Sequence, residues 1–267
     1  MHTLNGELLH RPLKLLVVGC GGNGTAIVSG LPYLHQAMLV AGHPGGLNVT
    51  VMDGDIISEA NCVRQPFSVS EIGLAKAVVM VSRLNLFWGL NWTAVPMFVS
   101  EGTTLPDADI VISCVDTRAA RAVIQNHVEG WCSRAFYWLD LGNSSDSGQF
   151  VLGQPRNGRN RQSADRLRTV PEILPEIVVE TLDAGDGPSC SAIEALERQE
   201  PFVNQVLAQH ALALLARLFR HGRIEHHGAF IDVAHNRVQP LAIHPETWRR
   251  MRRRGHRFVA ARRSEAA

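Results

Sequence analysis

A glycine-rich segment near the start of the chain has the residue types that hold a phosphate group. The glycine loop, residues 19–24, reads Gly-Cys-Gly-Gly-Asn-Gly; it follows the strand-like run 13–18 and opens a helix-like pattern. Glycines there permit a tight turn and close backbone approach, and amides at a helix N-terminus favour an anion. Asp53 ends the next strand-like run, where a carboxylate accepts hydrogen bonds from ribose hydroxyls. These features fit NAD and ATP equally, and a purely structural glycine turn is the alternative.

Two cations and one carboxylate farther along the chain suit chemistry at a triphosphate. When a carboxylate attacks an α-phosphorus, charge builds on the leaving pyrophosphate, so the rate depends on well-placed cations and on alignment. Arg64 offers a fork for two phosphate oxygens, whereas Lys76 offers a point charge and is one of only two lysines. Asp116 ends an apolar strand-like run, at the edge of an open sheet where Mg²⁺ binds. The alternatives are a loop ion pair for Arg64, a solvated helix lysine for Lys76 and a helix N-cap for Asp116.

The order of these motifs over residues 14–121 resembles the ThiF/MoeB/ubiquitin-activating superfamily of adenylating enzymes. After the glycine loop come an Asp-x-Asp at 53–55, an Asn-x-x-Arg-Gln at 61–65, a Gly-x-x-Lys at 73–76 and an Asp-Thr with a later arginine at 116–121. Within that superfamily the sequence is most similar to the ThiF-like protein of the ParB-related, ThiF-related (PRTRC) cassette. Two zinc-binding Cys-x-x-Cys pairs that many bacterial members carry are absent from this sequence.

The resemblance implies a role for each matching residue. Gly19, Gly21, Gly22 and Gly24 would cradle ATP, Asp53 would bind the ribose, and Asn61, Arg64 and Lys76 would face the β- and γ-phosphates. Asp116 would hold Mg²⁺ beside the α-phosphate, Arg121 would brace the site, and Asp55 and Gln65 would also contact the nucleotide. In related dimers an arginine comes from the partner's N-terminus, and Arg11 is the one candidate here. The implied cofactors are therefore ATP and Mg²⁺, and the implied assembly is a homodimer.

The implied reaction is adenylation of the C-terminal carboxylate of a small ubiquitin-like or sulfur-carrier protein that ends in glycine, with release of pyrophosphate. Two alternatives stay open. An NAD(P)-dependent oxidoreductase would keep the glycine loop and Asp53 but would leave Arg64, Lys76 and Asp116 without a task. A catalytically degenerate ThiF-like protein would serve as a binding scaffold.

Cys190 raises the question of a second, covalent step. The run 187–191, Gly-Pro-Ser-Cys-Ser, precedes a helix-like pattern and resembles the Pro-x-Cys-Ser/Thr of relatives that pass the acyl group to a thiol. A helix N-terminus lowers the pKa of a thiol and favours the nucleophilic thiolate. Cys190 is therefore a candidate for thioester formation, with a structural cysteine as the alternative. The other four cysteines are expected to be small apolar fillers: Cys20, Cys62, Cys114 and Cys132.

These residues must be positioned by alternating strands and helices. Apolar strand-like runs separated by helical patterns predict a doubly wound, mostly parallel, Rossmann-like α/β sheet, with antiparallel strands added toward the C-terminus. The predicted organisation is a nucleotide-binding half at 1–155, a segment at 156–247 that completes the same domain, and a basic tail at 248–267. Within it we expect a helix over 70–87 capped by Ser70, and a mobile, arginine-rich loop over 153–169.

Composition narrows the remaining possibilities. The chain has 267 residues, 45% of them hydrophobic and 19% charged, and a formal net charge of +1, which describes an ordinary globular protein without a strong overall field. Neither a signal-peptide pattern nor an apolar run of membrane-spanning type is seen, so a cytoplasmic protein is predicted. His226, His227 and His235 lack companions with metal-ligand spacing and are expected to be polar strand or turn residues. The arginine-rich tail is expected to be solvated, with contact to nucleic acid or an acidic partner as the alternative.

Overall fold

The computed structural model describes residues 1–163, 165–183 and 200–265, with side chains to residue 261. Its strands are β1 His2–Thr3, β2 Leu13–Val18, β3 Leu47–Met52, β4 Thr93–Val95, β5 Ile110–Ser113, β6 Tyr137–Asn143, β7 Ser147–Gly153, β8 Arg223–Ile224, β9 His226–Asp232 and β10 Arg237–Ala242. Its α-helices are α1 Gly22–Val40, α2 Asn61–Arg64, α3 Lys76–Trp88, α4 Arg118–Glu129, α5 Val170–Ile173, α6 Val203–His221 and α7 Pro245–Glu265. Short 3₁₀ turns occupy Gly6–Leu9, Val69–Glu71, Pro175–Val178 and Glu180–Leu182.

A single large sheet organises the described part of the chain. Its strand order is β10-β9-β7-β6-β5-β2-β3-β4, in which β4, β3, β2, β5 and β6 run parallel. The remaining pairs, β6 with β7, β7 with β9 and β9 with β10, are antiparallel. The predicted fold class, a mostly parallel doubly wound sheet extended by antiparallel strands toward the C-terminus, is confirmed.

Helices cover both faces of this sheet because its parallel strands are apolar on both sides. In β2, Leu13, Leu15 and Val17 face one core while Leu16 and Val18 face the other. Helices α1, α3 and α6 fill the first core, and α4, α5 and α7 contribute to the second. The described helices contain no apolar run long enough to cross a bilayer.

The helix predicted over 70–87 is in fact shorter, and the prediction that Ser70 caps it is wrong. A capping box between Ser68 and Glu71 closes a 3₁₀ turn instead, and α3 begins only at Lys76. Gly73 lies between them with φ +90°, which an α-helix cannot accommodate. The interruption places Lys76 in the first turn of α3.

The segment 153–169, for which the sequence predicts a mobile loop, is partly buried where the structure describes it. Asn157 and Asn160 are buried and donate to the carbonyl groups of Val128, Ala135 and Phe136. Arg166 is also buried and forms a two-pronged ion pair with Glu172. Arg166 and the two asparagines are therefore hydrogen-bonded to the body of the protein, whereas Arg161 is exposed.

The basic segment beginning at Trp248, for which the sequence predicts a solvated tail, is part of a helix that packs against the protein. Trp248 and Met251 pack against the second core, and the indole Nε1 of Trp248 donates to Nε2 of His227 at 2.8 Å. Gly255 is buried against Pro175 and Glu176, where a Cβ would overlap. Trp248, Met251 and Gly255 lie on one side of α7 and fix it to the protein, although its arginines between residues 249 and 257 are exposed as expected.

Candidate active site

A wide crevice lies at the carboxyl ends of the parallel strands. Strands β2 and β5 are neighbours at the centre of the sheet. The chain crosses from β2 to β3 on one side and from β5 to β6 on the other, so the two connections leave in opposite directions. Such a switch point opens a crevice in doubly wound sheets. Here its volume is about 1270 Å³. Most of the predicted residues line it: Gly19, Gly21, Gly22, Asp53, Asp55, Asn61, Arg64, Gln65, Lys76, Asp116 and Arg121.

The glycine loop forms the floor of the crevice between β2 and α1. Gly19 has φ +93°, and a Cβ there would lie 2.7 Å from the carbonyl oxygen of Cys114, so only glycine fits. Gly24 is buried beneath it, where a Cβ would overlap the Gly19 carbonyl, and it does not line the crevice. A Cβ on Gly21 would meet nothing within 4 Å, so this part of the loop is open to a ligand.

Asp53 joins the end of β3 to the glycine loop. One carboxylate oxygen accepts the Cys20 backbone N–H, and the other accepts the Asp55 N–H at 2.7 Å. Burial raises the pKa of Asp53 above its usual range, and these two backbone donors oppose the rise. The carboxylate is therefore fixed in orientation at the wall of the crevice, as a hydrogen-bond acceptor for a sugar must be.

Lys76 presents a buried ammonium to the crevice. Its Nζ donates to Asp55 at 2.8 Å, and its own backbone N–H donates to the Asp55 carbonyl. The Lys76 side chain is 6% exposed and that of Asp55 is 51% exposed. A lysine in the first turn of a helix opposes the helix dipole. The position is thus unfavourable for a purely structural lysine and suits one that meets an anion.

Arg64 and Asp116 reach the crevice from two further loops. Arg64 ends the one-turn helix α2, which begins at Asn61, and Asn61 Oδ1 accepts the Ser58 N–H at 2.9 Å. Asp116 lies exposed between β5 and α4. The N-cap of α4 is Thr117, whose hydroxyl accepts the Ala120 N–H at 3.2 Å. The alternative interpretation of Asp116 as that cap is therefore wrong.

A buried network supports the floor of the crevice. Arg121 Nε lies 3.1 Å from Asp140 Oδ1, and both side chains are buried. Asp140 also accepts the Ser113 hydroxyl, which in turn accepts the Trp138 indole N–H, each at 2.6 Å. Burial raises the pKa of Asp140, and Arg121 and Ser113 counter it. Arg121 thus ties α4 to β6 from a position at the crevice wall.

Several predictions are not met or are not addressed by the described residues. Cys190 lies outside the residues that the structure describes, so its predicted role stays a prediction. Arg11 forms a bidentate pair with Asp109 of its own chain, so its guanidinium does not project as a free arm. Cys132 is exposed, contrary to its expected role as an apolar filler, whereas Cys20 and Cys114 are buried as expected. His227 is fully buried, and no group of three or more potential metal ligands occurs in the described ranges.

The crevice is also lined by residues that the sequence motifs do not predict as site residues. Asn23 donates to Asn143 at 2.7 Å, and Asn204 comes from the distant helix α6. Among the described residues, the side-chain carbonyl oxygens of Asn23 and Gln65 are buried and accept no hydrogen bond. Phe98 places an exposed ring against Gly54, beside Asp53. Their sequence separation hides the site, since only the sheet brings them together.

These features define a nucleotide-binding protein of the doubly wound α/β class. Residues 7–133 match the model of the ThiF family. This segment is therefore a ThiF-family domain, of the ThiF/MoeB superfamily. A stretch of 127 residues, 46% of this chain, is 28% identical to the adenylyltransferase and sulfurtransferase UBA4 of Yarrowia lipolytica and covers 30% of that protein.

Solved structures share the fold over most of the chain. E. coli MccB, determined with ATP, superimposes with a TM-score of 0.59 at 19% identity, over 89% of this chain and 65% of MccB. PaaA gives a TM-score of 0.60 at 15% identity, over 89% of this chain and 75% of PaaA. The present chain thus spans less than two thirds of UBA4 and of MccB. At these identities the structures establish the fold.

Proposed function

We propose that this protein is an ATP-dependent adenylyltransferase that activates the C-terminal carboxylate of a small ubiquitin-like or sulfur-carrier protein. One observation carries the proposal: Arg64, Lys76 and Asp116 border the same crevice as the glycine loop. The family of residues 7–133 and the adenylyltransferase name of the UBA4 relative support it. The MccB structure with ATP supports the choice of nucleotide.

In this reaction a carboxylate oxygen attacks the α-phosphorus, the bond from that phosphorus to the bridging oxygen breaks, and pyrophosphate leaves. The glycine loop would hold the nucleotide, with Asp53 on the ribose and Asn61 and Gln65 nearby. Arg64 and Lys76 would bind the β- and γ-phosphates and offset the charge that develops on the leaving group. Asp55 holds the Lys76 ammonium in the crevice, and the triphosphate would replace it as the partner.

The residues present fit a magnesium ion. Asp116 offers an exposed carboxylate at the carboxyl end of β5, with Thr117 rather than Asp116 serving as the helix cap. Oxygen ligands of this kind suit Mg²⁺, which binds proteins through one or two carboxylates together with substrate phosphates. When bound, the ion would neutralise charge on the phosphates. Asp116 would hold it, and Arg121 would fix the helix that follows.

ATP–pyrophosphate exchange tests the proposal. The full chain is incubated with labelled pyrophosphate, ATP, Mg²⁺ and a small protein ending in glycine, recovered by pull-down. Exchange that requires an intact C-terminal carboxylate is the expected result. Exchange with none of the recovered carriers would favour a non-catalytic scaffold and would contradict the proposal.

The nucleotide is tested separately by thermal shift. A ligand that binds only the folded state raises the melting temperature, by an amount set by its concentration relative to Kd. ATP with Mg²⁺ is expected to stabilise the protein more than NAD at the same concentration. Stabilisation by NAD alone would favour the oxidoreductase.

We propose Cys190 as the acceptor of the activated acyl group in a second step. The thiolate would attack the acyl carbon, form a thioester and release AMP. A hydroxylamine-sensitive adduct between protein and carrier is expected, and it should be lost in Cys190→Ala while pyrophosphate exchange persists. An equal adduct in the variant would remove Cys190 from the pathway. Membership of the PRTRC-type subfamily, a homodimeric state and a cytoplasmic location remain predictions.

A further inference from the structure

Helix α7 carries a dense cationic face that the adenylation site does not use. Five arginines follow the spacing i, i+1, i+4, i+5, i+8, which places them on one side of an α-helix. All five are exposed: Arg249, Arg250, Arg253, Arg254 and Arg257. We refer to them as the arginine face. They border a groove of about 550 Å³ along the helix, and Glu246 is the one acidic side chain among the described residues that line it.

The arginine face is held rigidly by the opposite side of the same helix. Trp248, Met251 and Gly255, at i, i+3 and i+7, lie against the second core, the Pro175–Val178 turn and His227. The guanidiniums therefore project from a fixed scaffold with successive turns about 5.4 Å apart. A preorganised array of this kind binds a repeating anion with less loss of entropy than a mobile tail.

The positive charge of this face is not neutralised within the described part of the chain. None of its five guanidiniums forms an ion pair with another described residue, whereas Arg11, Arg118 and Arg166 each do. Like charges spaced at i, i+4 destabilise a helix. The array is therefore unfavourable for the isolated protein and becomes favourable when an external polyanion covers it.

We propose that the arginine face binds the phosphodiester backbone of nucleic acid. Guanidiniums match phosphate oxygens in a two-pronged geometry, and a backbone supplies them at regular spacing. Surface binding to a membrane would need a continuous apolar helix face beside the charge. Trp248 and Met251 are packed against the protein instead, and Phe258 is the one exposed large apolar side chain in the described part of α7. The contact is independent of base sequence and separate from the adenylation crevice, whose lining contains no α7 residue.

Fluorescence anisotropy with a labelled 20-base-pair duplex tests the proposal on the full chain, with a single strand of equal length as a second probe. Each neutralised phosphate contributes about −0.9 to the slope of log K against log salt for a duplex. We expect binding at low salt with a slope of about −4. The variant Arg250→Gln/Arg253→Gln/Arg257→Gln should bind at least tenfold more weakly, with a slope smaller in magnitude by about 3.

The matched control removes the same charge elsewhere. Arg217, Arg220 and Arg223 are exposed around the end of α6, and their triple glutamine variant should bind the duplex like wild type. Glutamine keeps helix propensity, and circular dichroism checks that each variant is folded. The proposal is overturned if the duplex does not bind, if both triple variants lose binding equally, or if poly-glutamate competes as well as DNA at equal charge. That last result would instead assign the face to an acidic protein.

Discussion

At the scale of single residues, Lys76 is the most informative side chain. Its buried ammonium meets Asp55 in a crevice that also holds Arg64, at a helix position that a structural lysine would avoid. A lysine is also improbable at any given position in this chain, because all other basic residues except Lys14 are arginines.

We expect Lys76→Ala to lower ATP–pyrophosphate exchange by at least 100-fold, since loss of a transition-state cation typically costs that much. The matched control is Lys14→Ala, because Lys14 is the other lysine and pairs at the surface with Asp107. The rate of ATP–pyrophosphate exchange is measured for both variants, and circular dichroism checks that each is folded. A Lys76→Ala variant that is folded and exchanges like wild type would remove Lys76 from the mechanism.

Asp116 and Thr117 are adjacent, but we expect substitution of Asp116 to lower activity and substitution of Thr117 to lower stability. Asp116→Asn should reduce exchange and raise the Mg²⁺ concentration needed for half-maximal rate, with little change in stability. Thr117→Ala removes the N-cap of α4 and should cost about 1 kcal/mol of unfolding free energy. Magnesium titrations and urea unfolding of both variants separate the two roles. A Mg²⁺ requirement unaltered in Asp116→Asn would contradict the assignment of the metal.

Sequence could predict these residues because each stands in a short motif next to a strand or helix end. Asp53, Lys76 and Asp116 were found in this way. Asp140 and Asn204 were not, since the role of an aspartate inside an apolar strand, or of an asparagine at the start of a distant helix, depends on partners that only folding supplies.

At the scale of elements, the Arg121–Asp140 pair fixes helix α4 to strand β6. Arg121→Leu would leave a buried carboxylate without its cation, which typically costs about 3–5 kcal/mol. The double variant Arg121→Leu/Asp140→Leu removes both charges and should recover part of that loss. Urea unfolding of the wild type, both single variants and the double variant measures the coupling. Purely additive effects would show that the two charges do not depend on each other.

His227 makes the attachment of α7 dependent on pH. Its Nδ1 donates to the Leu152 carbonyl and its Nε2 accepts from Trp248, so the ring must be neutral, and burial lowers its pKa to about 4. Between about pH 6.5 and pH 4 the unfolded state therefore binds the proton more tightly, and stability falls as the pH is lowered. At 1.36 kcal/mol per pKa unit the full loss is about 3 kcal/mol.

Unfolding free energies at pH 7 and pH 5 test this linkage. His2, whose pKa burial also lowers to about 4, acts in the same direction, so the comparison must be between proteins. His227→Gln should be less stable at pH 7 but should lose less on going to pH 5 than wild type. An identical pH dependence in the two proteins would show that His227 does not cause the loss of stability at low pH.

The elements themselves were predicted unevenly. Buried parallel strands are recognised by their continuous apolar runs, so the order of strand and helix was predictable. The start of α3 was not, because the capping box at Ser68 and the positive φ of Gly73 compete with a continuous helical pattern. The composition predicts a mobile loop over 153–169 and a solvated tail from residue 248, yet Arg166 is buried on Glu172 and α7 packs through its apolar side.

At the scale of the whole molecule, two separate functional surfaces are proposed on the same protein. The proposed adenylation crevice lies at the carboxyl ends of the parallel strands, while the arginine face lies on α7. A net charge of +1 conceals this division, because acidic residues elsewhere balance the arginines of α7. Binding of a charged partner therefore depends on the local charge of one face and not on the total charge of the protein.

In the proposed active site, Arg64, Lys76 and Asp116 gather around one triphosphate. A crystal structure of the full chain with Mg²⁺ and an ATP analogue that resists cleavage between the α- and β-phosphates tests it most directly. We predict the phosphates over the glycine loop, with the β- and γ-phosphates in hydrogen-bond contact with Arg64 and Lys76 and a metal ion at Asp116. A nucleotide bound outside this crevice, or phosphates directed away from both cations, would contradict the account.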